Sequence, residues 1–578
     1  MENARKICLK RLLCVLLSAF IILGFIPFTA LSVHAEDDPN TIGNLYDDEP
    51  CYGNGWAWDG RGTLTLFGAK IVADSYRVFN YDDGDITVEL VGYNEVHAVG
   101  STFAEVGGNT VTISGSGILN MDCTLGAHIT VNSGYIESTA ANVDLVNGGT
   151  LTMNGGYVKA QSAAIGSLTM SKGYLDIGSI TGNANVEGGY LKAGSVTANS
   201  TMSIQNCVVD IAGGVDGTVT FEESNCVFIY DNLRSSSASI VNTKYGNDVL
   251  SLHTDLRTDG RSVYCYSYKE SSNNTIGTLG ESACGLYYKG NIEIGENGSL
   301  SGGVYIDAPS GSSNYVLSAS GTGGDTPITA NNATIVTSGG KGITLKDAMF
   351  GANNTVVAAN GINLLNGSLT GKGSVLVAED ASVEIGGLSE VEDGAYVFSN
   401  CSDDLFLSLT LDETANMTIL NKTLNVSIDG AIDGSLTSYS SESGSVSSAT
   451  LLRLGSYSEI AAYSKVGCSI FSSSDWYIPT HTFYYADDIG SEFKTTTDTR
   501  LKAHTAKAVY YGKELHPRLD DDKYVDDNGD TVSSTTTLSA AAEDSASMAQ
   551  FVISPSSKIS TPATELTASL IPPLRADL

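Results

Sequence analysis

Apolar and polar residues alternate along this chain in short runs, and the runs break at corners rich in Asn, Ser and Gly. Six segments share one template: Val111-Thr-Ile-Ser-Gly-Ser-Gly117-Ile-Leu-Asn, Ile129-Thr-Val-Asn-Ser-Gly134-Tyr-Ile-Glu, Leu151-Thr-Met-Asn-Gly-Gly156-Tyr-Val-Lys, Leu168-Thr-Met-Ser-Lys-Gly173-Tyr-Leu-Asp, Ala184-Asn-Val-Glu-Gly-Gly189-Tyr-Leu-Lys and Met202-Ser-Ile-Gln-Asn-Cys207-Val-Val-Asp. The corner recurs at 117, 134, 156, 173, 189 and 207, in steps of 17, 22, 17, 16 and 18 residues, and Cys226 takes it 19 residues later. Two short strands cannot bury a face alone, and steps of this length leave no room for a crossover helix. Each copy must stack on the last. The pattern predicts an all-β chain wound as a parallel β-helix, right-handed by the general preference of parallel crossovers.

A period of two assigns the faces. Leu119, Ile136, Val158, Leu175, Leu191 and Val209 should fill the bore. One residue earlier, Tyr135, Tyr157, Tyr174 and Tyr190 fall on the outer face, which Lys159 and Lys192 share from one residue later. Rungs about 4.8 Å apart make the tyrosines an exposed aromatic column. Such a column would stack on successive sugar rings while the lysines bond their hydroxyls. The favoured alternative is plainer, a self-stacking ladder that stabilises the winding and touches no ligand.

Looser winding continues through residues 286–388, for instance at Ala333-Thr-Ile-Val-Thr and Ser374-Val-Leu-Val. Beyond about residue 400 the period is lost. Residues 401–515 predict a less regular C-terminal β region, either a cap or a second β-domain, and the acidic, then Ser/Thr/Pro-containing stretch 516–578 predicts a poorly ordered tail. The open end of a solenoid exposes bore and unpaired strand edge, so it needs a lid. Trp56, Trp58 and Asp59, just before Thr63-Leu-Thr-Leu, are placed to form an N-terminal aromatic cap. Cap and β-helix together span 50–400, preceded by an acidic leader segment at 36–49.

Charge and the N-terminus set the compartment. Among 578 residues, 65 acidic side chains outnumber 31 basic ones, a formal net charge of −34. The basic footprint that nucleic acid requires is missing. Residues 1–35 read as a secretory signal peptide: Arg5, Lys6, Lys10 and Arg11, then the apolar run from Leu12 to Ile26, then Val33-His34-Ala35 before the first acidic residues. Left uncleaved, the same run would serve as an anchor. Its removal takes away four basic residues and one acidic, leaving a net charge of −37 and no further span. The expectation is an extracellular or cell-surface protein.

The Trp56-x-Trp58-Asp59…Thr63-Leu64-Thr65-Leu66-x-Gly68-Ala69 opening and the Asn-Gly-Gly-Tyr corners resemble secreted carbohydrate-binding, adhesin-like β-helix proteins of Gram-positive-type bacteria. The resemblance covers roughly residues 50–400. It implies a surface solenoid that binds polysaccharide or a host-surface glycan, and it fixes no site residues. A purely structural or protein-adhesive spacer is the alternative reading.

A third reading is a polysaccharide lyase or hydrolase with an atypical site. Hydrolysis needs two carboxylates at a set separation, and no pair stands out among so many. No His is flanked by glycines and no Arg-x-Pro occurs, while Arg500-Leu-Lys502 and Asn120-Met-Asp122 match only fragments of polygalacturonase-like patterns. The expectation is no catalysis. Calcium is the ion an acidic exported chain would take. Asp82, Asp83 and Asp85 are the candidate ligands, with Asp526, Asp527 and Asp530 behind them, although the second group fails the EF-hand spacing and solvated loops are favoured for both. Cys207/Cys226 and Cys265/Cys284 each lie one turn apart, close enough for disulfides and equally suited to a ladder of buried thiols.

Overall fold

A computed structural model describes residues 40–512 apart from short internal stretches, of which the longest are 472–481 and 497–505. Among the described residues there is no helix, and parallel sheets wind into a β-solenoid of about 17 turns. The register follows the alternation read from the sequence. Leu119, Ile136, Val158, Leu175, Leu191 and Val209 stack in line on successive rungs. All six are fully buried in one apolar bore, which continues to Phe228. A second line, Val111, Ile129, Leu151, Leu168, Ala184, Met202 and Val219, closes the same bore from the neighbouring strand.

The corner glycines have a steric cause. Gly173 sits at φ +94°, and a Cβ there would lie 2.7 Å from the Gly155 carbonyl oxygen of the rung before. Gly189, at φ +82°, would meet the Gly173 oxygen at 2.8 Å. Only a residue without a Cβ fits so close to a stacked backbone.

The winding does not run in one column. After Val227–Leu233 the chain reverses through antiparallel pairing with Ser262–Cys265, which pairs in turn with Ser251–His253. A second column then builds its own bore from Leu286, Val304, Ile335, Val356, Leu376, Val397, Met417, Leu436 and Ile460. Parallel pairing carries on past residue 400 as far as Phe471. The irregular closing element is therefore confined to the antiparallel strands Thr482–Ala486, Lys494–Thr496 and Ala506–Gly512.

The two columns lie side by side and run in opposite directions. Tyr463 Oη donates to Phe67 O (2.7 Å), Gly92 N to Thr437 Oγ1 (3.0 Å), Gly173 N to Thr355 Oγ1 (3.0 Å) and Gly189 N to Thr334 Oγ1 (2.8 Å). As the first number rises, the second falls. A third apolar cluster, containing Tyr93, Tyr135, Tyr157, Tyr174, Tyr190, Val357, Val377 and Phe398, fills the seam between the bores.

The aromatic cap is in place. Trp56 and Trp58 lie on an antiparallel strand, Trp56–Trp58, that closes the first bore, and both are fully buried. Trp58 Nε1 donates to Tyr46 O (2.8 Å), and its ring meets Tyr81 edge-on. Asp59 Oδ1 accepts from the backbone N–H of Arg61 and Thr63, each at 2.8 Å, which sets the turn into the first rung.

Candidate functional site

The seam has an aromatic stripe and, along the corners, a polar row. The stripe holds the tyrosines predicted to face solvent. Tyr135, Tyr157, Tyr174 and Tyr190 stack in register on the outer face of the first column, as the period requires. They are not exposed: 6%, 6%, 0% and 5% of their surfaces reach water, because the second column covers them. Tyr135 stacks on Phe398 with ring centres 4.9 Å apart, and Tyr157 meets the same ring edge-on. Tyr174 and Tyr190 stack on each other at 5.1 Å. Burial, with nearby carboxylates adding to it, pushes all four phenols well above their usual range. No ring face is left for a sugar, and the self-stacking ladder describes what these rings do.

Lys159 and Lys192 are engaged as well. Their positions align in register with Glu137, Asp176 and Asp210. Lys159 Nζ lies 3.2 Å from Glu137, and Lys192 Nζ 3.3 Å from Asp176. Burial works against the charge on Lys192, but Asp176 and Glu379 outweigh it and raise its pKa. The next carboxylate, Asp210, is buried and pairs with Arg261 from the reversal. This row of alternating sign is joined in pairs, and its last carboxylate is held by Arg261.

The remaining predicted groups fall elsewhere. Asp82, Asp83 and Asp85 occupy the turn before Ile86; Asp85 caps Thr110 N (2.7 Å) and Asp82 accepts from Asn80 (3.1 Å). Among the described residues no three carboxylate, imidazole or thiol side chains converge as a metal-ligand set. Cys207 and Cys226 lie on neighbouring rungs inside the first bore, and Cys265 faces Val227 across the reversal. Like Cys284, all three are free thiols in the structure. Asp122, of the Asn120-Met-Asp122 fragment, pairs with His97 and accepts from Ala98 N (2.8 Å). The signal peptide, Arg500-Leu-Lys502, the acidic stretch 526–530 and the tail lie outside the described residues. Among the described residues, no helix is long and apolar enough to cross a membrane.

The polar row opens into a feature that sequence reasoning missed. A cleft of about 380 Å³ lies where corners of the two columns meet. The first column lines it with Lys172, Glu187, Gln205 and Asn206, the second with Asn332 and Asn353. Asn206, Asn332 and Asn353 are all left-handed, at φ 49°, 51° and 56°. Asn tolerates that conformation better than other side-chain-bearing residues. At these three corners the group presented is therefore an amide. Thr334 and Thr355 form the floor, accepting the Gly189 and Gly173 N–H bonds, while Thr334 also donates to Asn206 O (3.0 Å). Lys172 Nζ donates to Asn353 Oδ1 (3.3 Å) and Gly373 O (3.0 Å), and burial lowers its pKa. Next to the cleft the row continues rung by rung: Asn154 Nδ2 donates to Asn132 Oδ1 (3.1 Å), Ser171 Oγ to Asn154 Oδ1 (3.2 Å), and Asn225 to Asn206. The bond between Thr334 and Asn206 across the cleft joins residues 128 apart in sequence, so no local motif announces the site.

Comparison with protein-family models, curated proteins and solved structures returned no match.

Proposed function

We propose that this is an exported, non-catalytic solenoid that binds polysaccharide or a surface glycan along the polar rim of its seam. The observation that carries the reading is the cleft, where amides from two columns converge beside an open row of further amides and hydroxyls. Polar groups converging in a concavity are what a sugar's hydroxyls require. Among the described residues a single carboxylate, Glu187, lines the cleft, whereas glycoside hydrolysis uses two across the bond. The opening motif and corner repeats that resemble secreted carbohydrate-binding β-helix proteins point the same way. Burial of the tyrosine stripe favours the competing reading, a spacer whose repeats serve only its own stability.

Gel retardation in a panel of neutral and acidic polysaccharides, with calcium and with chelator, tests the reading. Parallel assays for new reducing ends and unsaturated uronates accompany it. Retardation without cleavage is the expected result. Cleavage would make the protein an enzyme, and no retardation on any polymer would leave the spacer.

A further inference from the structure

The chemistry of the cleft narrows the ligand, given that a polysaccharide binds there. We infer that the seam takes a linear, uncharged glycan lying along the solenoid axis, with one sugar residue opposite each rung, held by hydrogen bonds.

Three observations lead there. First, the charged groups of the cleft are already committed. Lys172 spends two donors on Asn353 and Gly373, and burial disfavours its charge. Glu187 accepts from Asn185 Nδ2 (2.8 Å). The other side chains named in the lining, Gln205, Asn206, Asn332 and Asn353, are neutral amides. A chain of formal net charge −34 repels a polyanion, and among the described residues no free cationic row offsets that repulsion in the cleft. Second, the polar groups repeat with the rungs. Asn132, Asn154 and Ser171 pass hydrogen bonds from one rung to the next, and Asn206 joins Asn225 in the same way. Rungs are spaced about 4.8 Å apart, close to the length of one hexose in an extended chain. A polymer lying along the row therefore sets successive sugars near successive polar groups over a few rungs. Third, among the described residues no aromatic ring lines the cleft. Binding then rests on many individually weak hydrogen bonds, and must grow with the length of the ligand.

The test is calorimetric titration of the full chain with a length series of cello-oligosaccharides and a matching series of galacturonate oligomers. The expected result is affinity that rises with length for the neutral series, then levels off, and is little changed by salt. Asn332→Gly and Asn353→Gly remove cleft amides at left-handed positions that Gly accepts freely. Each variant should weaken the longest neutral ligand by about five- to tenfold, with its unfolding midpoint held. Galacturonate binding as tight as cello-oligosaccharide binding, or neutral binding independent of length, would overturn the inference and leave polysaccharide binding standing. Full-strength binding by both glycine variants would also overturn it, by moving the site elsewhere. Absence of binding to any polymer in the gel panel is a different failure, and it would remove the functional reading itself.

Discussion

The two rims of the seam are built from the same rungs, and they end in opposite environments. At Gly173 the chain turns; Lys172, just before it, reaches into the open cleft, while Tyr174, just after it, is sealed beneath the second column. Gly189 repeats this, with Glu187 in the cleft and Tyr190 buried. Aromatic residues, the usual mark of a sugar site, here hold two solenoids together, and plain amides face the open groove. An outward-facing residue in a solenoid is only a surface residue until another column arrives.

The largest expected effect comes from cutting into the aromatic rim. Tyr157→Ala and Tyr174→Ala should each lose about 3–5 kcal/mol, the cost of a large buried ring. Denaturant unfolding would show it; a loss below about 1 kcal/mol would mean that the columns do not depend on the stripe.

Alkali should act on the same rim. The phenols have raised pKa values in the folded chain and an ordinary value of 10.0 when exposed. The folded state thus holds its protons where the unfolded chain gives them up. This stabilisation is complete below pH 10 and is lost as pH climbs toward the raised folded values. Phenolate absorbance of the buried set should appear together with loss of the β circular dichroism signal. A smooth rise near pH 10 with the fold intact would mean the stripe is open to water.

A smaller change keeps the ring and removes one atom. Tyr174 Oη donates to Glu379 Oε1 at 2.5 Å across the seam. Tyr174→Phe should cost about 1.5–3 kcal/mol, the range for a hydrogen bond to a charged group. Full recovery of stability in a Tyr174→Phe/Glu379→Gln double variant would locate that loss in the pair. The smallest effect belongs to the other rim: Gln205→Ala should stay within about 0.5 kcal/mol of the parent in unfolding, while weakening glycan retention in the gel.

Much of each column was legible in the sequence, because a period of two is a strict statement about faces. The bore positions from Leu119 to Val209 and the tryptophan lid follow from alternation and from the need to close an end. The alternating charges at Glu137, Lys159, Asp176 and Lys192 are also readable as rung neighbours, although alternation alone allows Lys159 and Lys192 to serve a ligand equally well. What alternation cannot state is what covers an outer face. That depends on the reversal after Asn242, where the chain swaps parallel stacking for the antiparallel pairing of Ser251–His253 and Ser262–Cys265. In the second column the step from Leu286 to its neighbour Val304 is 18 residues and the next, from Val304 to Ile335, is 31, and this early break in spacing hides the period. The cleft arises only when corners from both columns meet.

The opposed course of the columns also decides how the molecule bears force. The first rungs near Phe67 and the last near Tyr463 share one pole, with Gly490 N bonded to Gly68 O there. Load applied between these two ends would peel the seam like a zipper, meeting a few hydrogen bonds at a time. Load applied from that pole to the reversal would pull along the stacked rungs. Optical-tweezer traces should therefore show a low sawtooth in the first geometry and a higher rupture force in the second, so the protein's toughness depends on where it is held.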